Sequence, residues 1–389
     1  MILGIDASNL RDGGGVTHLV EVLRVADPGT YGFSQVIVWG TGPILDDIDS
    51  RPWLVKSRQP LLEKRLPYRL FWQRFKLPRL ARHAGCGLLF TPGGSYAGDF
   101  RPIVTMSRNM LPFEWRELRR YARSWIGARL LLLRWTQART FRRADGLVFM
   151  TQYAKEGVMR IVKASATQTT IIPHGIDGRF VCPPREQRPL SHYSTDRPFR
   201  ILYVSIVDLY KHQWHVAEAV TQLSADGLPV LLELVGPSYP PALSRLRRTL
   251  KRVDPAAASV RYLGRVPHGE LPTRYAEADL CLFASSCENM PNILVEAMAS
   301  GLPIACSNRG PMPEVLGDAG VYFDPESPND IARALRKLIE SPGLRTRLAR
   351  ASFEQASRYS WRRCAAETFS FLAKVGRSCR NKMGQPIPL

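Results

Sequence analysis

No run of about 18 consecutive apolar residues occurs in the chain, so no membrane-crossing helix is predicted. The opening MILGIDASNL places an aspartate at position 6 inside a strand-like run, which a secretory signal does not do. Cysteine is sparse and scattered: Cys86, Cys182, Cys281, Cys287, Cys306, Cys364 and Cys379 include no pair at zinc-ligand spacing. That odd, dispersed set reads as reduced thiols of a cytosolic chain rather than a disulfide framework. Internal repeats and low-complexity segments are absent too, which excludes solenoids. With 45% hydrophobic and 23% charged residues the composition is globular, and 389 residues suit two domains rather than one.

Acidic residues are also few, with 34 Asp and Glu against 54 Lys and Arg, for a net charge of +20. The excess is local. Residues 51–143 hold 21 Lys and Arg against Glu63, Asp99, Glu114 and Glu117, which is +17 of the +20. Such a field attracts a polyanion: anionic lipid, nucleic acid or a phosphorylated substrate. The segments 63–85 and 113–143 interleave this charge with Trp72, Trp115, Trp125 and Trp135. Arginine beside indole suits a lipid headgroup layer, although some of these rings are expected to pack in the core. An anionic membrane partner through residues 63–143 is therefore predicted. A nucleic-acid-binding protein is the rival from another class, without a helix-turn-helix, zinc-finger or RNP-like motif behind it.

Short Val/Ile/Leu-rich runs recur, each ending in Gly, Ser or Pro and followed by a helix-like stretch. In the first half they are 2–6, 35–40, 87–92, 102–107 and 146–151. In the second half they are 200–205, 231–236, 260–264, 280–285, 302–307 and 320–324. Continuous apolar strands alternating with helices signal buried parallel sheets, and two such sets imply two Rossmann-like domains. The Pro-rich, polar stretch 173–198 reads as the linker. A last amphipathic helix is predicted over 359–378, with a loose tail after it.

The chemistry concentrates in SSCENMPNILVEAMASGLPIACSNRGPMPEVLGDAG, residues 285–320. A strand ends near Ser285, and Pro291 is placed in the first turn of the next helix with Asn289 as its cap. Glu288 then lies in the loop and Glu296 inside the helix, too far apart to share one proton or metal easily. Helix-start amides between them favour phosphate, and SNRGPMPEVL is expected to repeat that arrangement one strand later. Lys211, on a third strand-end loop, adds a point charge for a diphosphate. Phosphate in the middle and carboxylates flanking it describe a nucleotide-sugar site.

These residues resemble the GT4 family of retaining glycosyltransferases, whose mark is two glutamates separated by seven residues. Further matches are LVFMTQYAKEGV, IIPHGIDGRF, YLGRVPHGELPTRYAEADL, YSWRRCA and the glycine-rich GIDASNLRDGGGVTHL. The resemblance implies an α/β GT-B fold, two Rossmann-like domains facing each other across a cleft. Residues 1–180 would bind the acceptor and 190–358 the nucleotide-sugar, with 359–389 packing back toward the first domain. By the same resemblance Glu288 contacts donor-sugar hydroxyls, Glu296 the ribose, Lys211 the diphosphate, and the backbone around Arg265 and Val266 the base. Asn289, Met290, Pro291 and Asn292 join the donor site, and Gly13, Gly14 and Gly15 approach its phosphate side.

Two departures stand out. The Gly-Arg that many members carry before the lysine is missing from VSIVDLYK. The histidine common after the fourth strand is replaced in VTMSRNMLPFE, which makes Arg108 and Asn109 the candidates there. The resemblance implies a metal-independent, retaining hexosyl transfer from a nucleoside diphosphate sugar, without further cofactor. The acceptor is expected to be a lipid-linked glycan of surface polysaccharide or lipopolysaccharide synthesis, at the cytoplasmic membrane face. A nucleotide-sugar epimerase of the same fold is the enzymatic alternative. Asp47-Ile48-Asp49 copies a metal-binding aspartate pair but reads as a helix start. His18, His174, His212 and His215 read as polar lining or caps.

Overall fold

The computed structural model describes residues 1–11, 13–164 and 167–382. The chain forms two compact units, Met1–Gly175 together with the chain from Ser360 onward, and Ile176–Tyr359.

The first unit is built on a seven-stranded parallel sheet of β1 (Ile2–Asp6), β2 (Gln35–Gly40), β3 (Leu54–Arg58), β4 (Cys86–Thr91), β5 (Ile103–Met106), β6 (Gly146–Phe149) and β7 (Gln168–Ile171). Their spatial order is β3-β2-β1-β4-β5-β6-β7. β1, β4, β5 and β6 are almost wholly buried, as the unbroken apolar runs require when helices cover both faces. Helix Trp361–Lys382 packs against the first helix, Gly14–Val25, and against β4. It extends beyond the 359–378 predicted for it, and the loose tail expected after it falls largely on 383–389, outside the described residues.

The second unit carries β8 (Phe199–Val204), β9 (Val230–Val235), β10 (Val260–Gly264), β11 (Leu280–Phe283), β12 (Ile304–Ser307) and β13 (Val321–Phe323), in the order β10-β9-β8-β11-β12-β13. This is the doubly wound arrangement, in which the order reverses between β8 and β11. Ligands bind such sheets in the crevice outside the strand C-termini at that reversal.

Three sequence readings need correction. β3 and β7 were not anticipated, because LVKSR and QTTI are edge strands, half-buried and too polar to read as apolar runs. Asp47 caps the end of a short helix, Gly42–Asp46, so the Asp-Ile-Asp triplet is not a helix start. Asp49 lies beside Arg24 and Arg51 instead. Trp72 is fully buried and donates its indole N–H to Gln59, which removes it from any surface role.

Candidate functional site

Two loops diverge at the reversal point of the second sheet. The loop after β8 runs from Ser205 to His212, where helix Gln213–Ala225 begins. The loop after β11 runs to Pro291 and into helix Asn292–Ala299. They are tied together: the Ser286 amide donates to the Tyr210 carbonyl at 2.9 Å, and Ser286 Oγ meets His212 Nε2 at 2.9 Å. Gln213 Nε2 binds the Ile206 carbonyl and the Tyr203 hydroxyl binds that of Lys211, both at 2.8–2.9 Å. Two of these bonds join the loops and two brace the first of them, so the loops form one rim.

That rim brings two of the anticipated residues into contact. Lys211 is 5% exposed and its Nζ donates to Glu288 Oε1, while the ammonium lies 5.1 Å from both the Tyr210 and Phe283 ring centroids. An ammonium is held out of water here by one carboxylate and two ring faces. The neighbouring Tyr203 and Tyr210 hydroxyls have pKa values raised well above the usual, chiefly by burial and then by the Glu288 charge, so both stay protonated. Helix Gln213–Ala225 starts two residues after Lys211, and its N-terminal end adds a positive pole there.

Glu296 sits on helix Asn292–Ala299 with its side chain mostly buried. Tyr275 donates to Oε2 at 3.4 Å, and His268 Nε2 lies 3.8 Å from Oε1. Hydrogen bonding to Glu296 raises the His268 pKa, while burial and then the Glu296 charge hold Tyr275 neutral. Glu296 therefore has Tyr275 and His268 as standing partners. Neither Tyr275 nor His268 was picked out from the sequence. They precede Glu296 by 21 and 28 positions on a different strand-end loop and helix, and no local spacing links them.

The helix begins later than expected. Pro291 occupies the position before its first residue, Asn292, no side chain caps that end, and Asn289 belongs to the loop as a buried residue. Met290 and Pro291 are buried and Asn292 half-buried. Arg265 is exposed and Val266 half-buried, just after β10. SNRGPMPEVL leads only into a five-residue helix, Met312–Leu316, too short for the second anion-binding helix start expected from it. Arg309 in that loop pairs with Asp324 at 2.7 Å.

In the first unit Gly13 has φ +64°, a conformation that glycine adopts without strain, and it precedes helix Gly14–Val25. The loop after β5 brings Arg108 over this helix start: a Cβ added to Gly15 would lie 3.2 Å from Arg108 Nη1. Gly14 starts that helix and Gly15 follows as its second residue. Asn109 is exposed, and its Oδ1 accepts from the Leu111 amide at 3.0 Å, a turn-forming bond. His18 and His174 are buried and stacked 4.8 Å apart, with Trp361 beside them. His215 Nδ1 donates to the Pro325 carbonyl at 3.1 Å. Among the described residues no group of three or more His, Cys, Asp or Glu is placed to hold a metal ion.

Residues 185–355 match the family model described as "Glycosyl transferases group 1". Over 111 residues the chain is 34% identical to an O-antigen chain mannosyltransferase B of Escherichia coli, covering 28% of this chain and 29% of that protein's length. Among solved structures, a sucrose-phosphate synthase from Thermosynechococcus elongatus superposes with a TM-score of 0.74 at 19% identity, covering 97% of this chain and 100% of that one. The Anabaena protein HepE, solved in complex with UDP-glucose, gives 0.65 at 18% identity, covering 95% and 99%.

Proposed function

Since residues 185–355 match the model of the group 1 glycosyl transferases and the chain has the GT-B pair of Rossmann-like units, we propose that the protein moves a hexosyl group from a nucleoside diphosphate sugar to a glycan acceptor. The observation carrying this reading is the Lys211–Glu288 pair at the reversal point, with helix Gln213–Ala225 opening beside it. Lys211 and the helix start receive the diphosphate, Glu288 the sugar hydroxyls and Glu296 the ribose. Positive charge for the leaving diphosphate comes from protein groups, and no metal is needed for it. Transfer proceeds with retention, the departing phosphate helping to take the acceptor's proton. The mannosyltransferase relative, named for the O-antigen chain, favours a surface polysaccharide acceptor, and the UDP-glucose complex of HepE favours a nucleotide-sugar donor.

A thermal-shift series tests the donor side. UDP and GDP should each be compared with their nucleosides; at 100 times Kd a ligand adds about 2.7 kcal/mol of stability. Stabilisation by a nucleoside diphosphate well above that of its nucleoside is the expected result. No response to any nucleoside diphosphate or nucleotide-sugar would sink the reading.

The lipid-linked character of the acceptor rests on the surface of the first unit. Helix Trp125–Arg143 buries Gly127, Leu130, Ala138 and Phe141, yet its outer side shows Trp125 (84% exposed), Arg129, Leu132, Trp135 (62% exposed) and Arg139. These recur three or four residues apart, a stripe of indole, leucine and guanidinium along one face. Such a face suits an anionic membrane surface, and among the described residues no helix is long and apolar enough to cross one. Vesicle cosedimentation should show anionic-lipid binding that falls steeply with salt and keeps a salt-resistant part. Arg119→Glu with Arg123→Glu and Arg129→Glu removes the first component, and Trp125→Ser with Trp135→Ser the second. Indifference to anionic vesicles at low salt, with tight duplex DNA binding, would favour the nucleic-acid rival.

A further inference from the structure

Among the described residues three that are not glycine have positive φ: Lys163, His212 and Ala257. Lys163 ends a helix and Ala257 bonds back to the Asp254 carbonyl, and both are exposed. His212 differs, being fully buried at φ 53° and ψ 27°. Glycine adopts that left-handed backbone freely, and a residue with a Cβ does so only at a cost. Glycine would serve the backbone at this junction of loop and helix, so the return for the strain lies in the imidazole.

The ring is held on three sides. It stacks on His215 with centroids 5.5 Å and planes 14° apart, and meets the Trp214 ring edge-on at 5.8 Å. Its Nε2 lies 2.9 Å from Ser286 Oγ. The one hydroxyl proton of Ser286 goes to the Tyr210 carbonyl at 3.2 Å, so His212 Nε2 carries the proton of the bond between them and donates it. That bond crosses from the loop after β8 to the loop after β11. His212 follows Lys211 directly, and Ser286 precedes Glu288 by two residues. The ends of the bond thus sit beside the two members of the ion pair.

We infer that His212 is a positioning residue for Lys211, a latch whose strained backbone brings the imidazole onto the loop of Glu288. Closed, it fixes the place of the ammonium before a ligand arrives; that the ligand is a diphosphate rests on the transferase reading. A lysine side chain has much rotamer freedom to lose, and one ordered in advance binds phosphate without that loss. Open, it lets the two loops part, and the incoming ligand has to order Lys211 itself. His212 touches neither sugar nor phosphate in this role and acts through its neighbour.

The probes are UDP and GDP with their nucleosides, titrated calorimetrically into the full chain, together with amide hydrogen exchange of the free chain. Ser286→Ala, the milder change, should weaken the bound nucleoside diphosphate about tenfold and leave its nucleoside within about twofold. His212→Gly suits the backbone but loses the latch, and should show the same selective loss. In Lys211→Ala the latch has nothing left to position, so adding Ser286→Ala should cost less than about twofold more. Without ligand, the Ser286 amide, which donates to the Tyr210 carbonyl at 2.9 Å, should exchange faster in His212→Gly, by about tenfold. Losses shared equally by nucleoside and diphosphate would make His212 a structural residue only and overturn the proposal. So would an unchanged diphosphate affinity in both variants, or an undiminished further loss on top of Lys211→Ala. Unchanged exchange at Ser286 overturns the latch whatever the chain binds. If wild type binds neither UDP nor GDP, the transferase reading fails and the role toward phosphate with it, while faster exchange still establishes the latch.

Discussion

Glu288→Gln is expected to lower turnover at least tenfold and, at the same time, to tighten binding of the bare nucleoside diphosphate. The two effects have one origin. In the free protein Glu288 is the hydrogen-bond partner of Lys211 Nζ, so a diphosphate entering that position competes with a carboxylate for the same ammonium. Glutamine keeps the shape and removes the charge, which releases Lys211 and lifts the repulsion toward phosphate oxygens. The bound donor sugar, by contrast, loses a charged acceptor for its hydroxyls. Hydrogen bonds to charged groups are worth about 1.5–3 kcal/mol, and each 1.36 kcal/mol is about tenfold in rate. Steady-state kinetics of diphosphate release, with calorimetry on the bare diphosphate, check both signs. Turnover within twofold of wild type would remove Glu288 from the reacting centre.

Lys211→Ala should weaken the nucleoside diphosphate and the nucleotide-sugar by about tenfold or more, and the nucleoside hardly at all. The lysine is almost wholly buried and paired with Glu288, so its loss leaves that carboxylate without its counter-charge. Removing one member of a buried pair costs about 3–5 kcal/mol of stability, and the variant should therefore melt lower as well. Lys211→Ala combined with Glu288→Gln separates the two contributions. The double variant should regain much of the stability and none of the diphosphate affinity. Equal losses for nucleoside and diphosphate would place Lys211 away from the phosphates.

The sequence was legible wherever one local rule decides the structure. Nine of the eleven apolar runs mark interior strands, because a strand covered on both faces must be apolar throughout, and the edge strands β10 and β13 were still apolar enough to read. LVKSR and QTTI escaped because an edge strand need not be apolar, and these two are polar. Glu288 and Glu296 stood out because a loop and a helix start fix their spacing in the chain. The pairing of Lys211 with Glu288 was invisible, since 77 residues separate them and only the reversal of strand order makes their loops neighbours. The same holds for Arg108 over Gly15, which the closing of the first sheet brings together across 93 positions. The helix start at Asn292 was misplaced because proline fits both before and inside a first turn, and propensity does not separate the two.

Helix Trp361–Lys382 belongs to the unit that begins at Met1, with the whole of Ile176–Tyr359 made in between. During synthesis the first unit must wait for a piece that leaves the ribosome after the second unit is complete. Until then the ground that this helix will cover beside helix Gly14–Val25 and β4 lies open. The later-made unit is continuous in sequence and has all its strands in hand by Phe323, so it is the one able to finish first. Order of birth and order of completion therefore run opposite ways in this chain, and the nascent first unit is the one that stays incomplete longest.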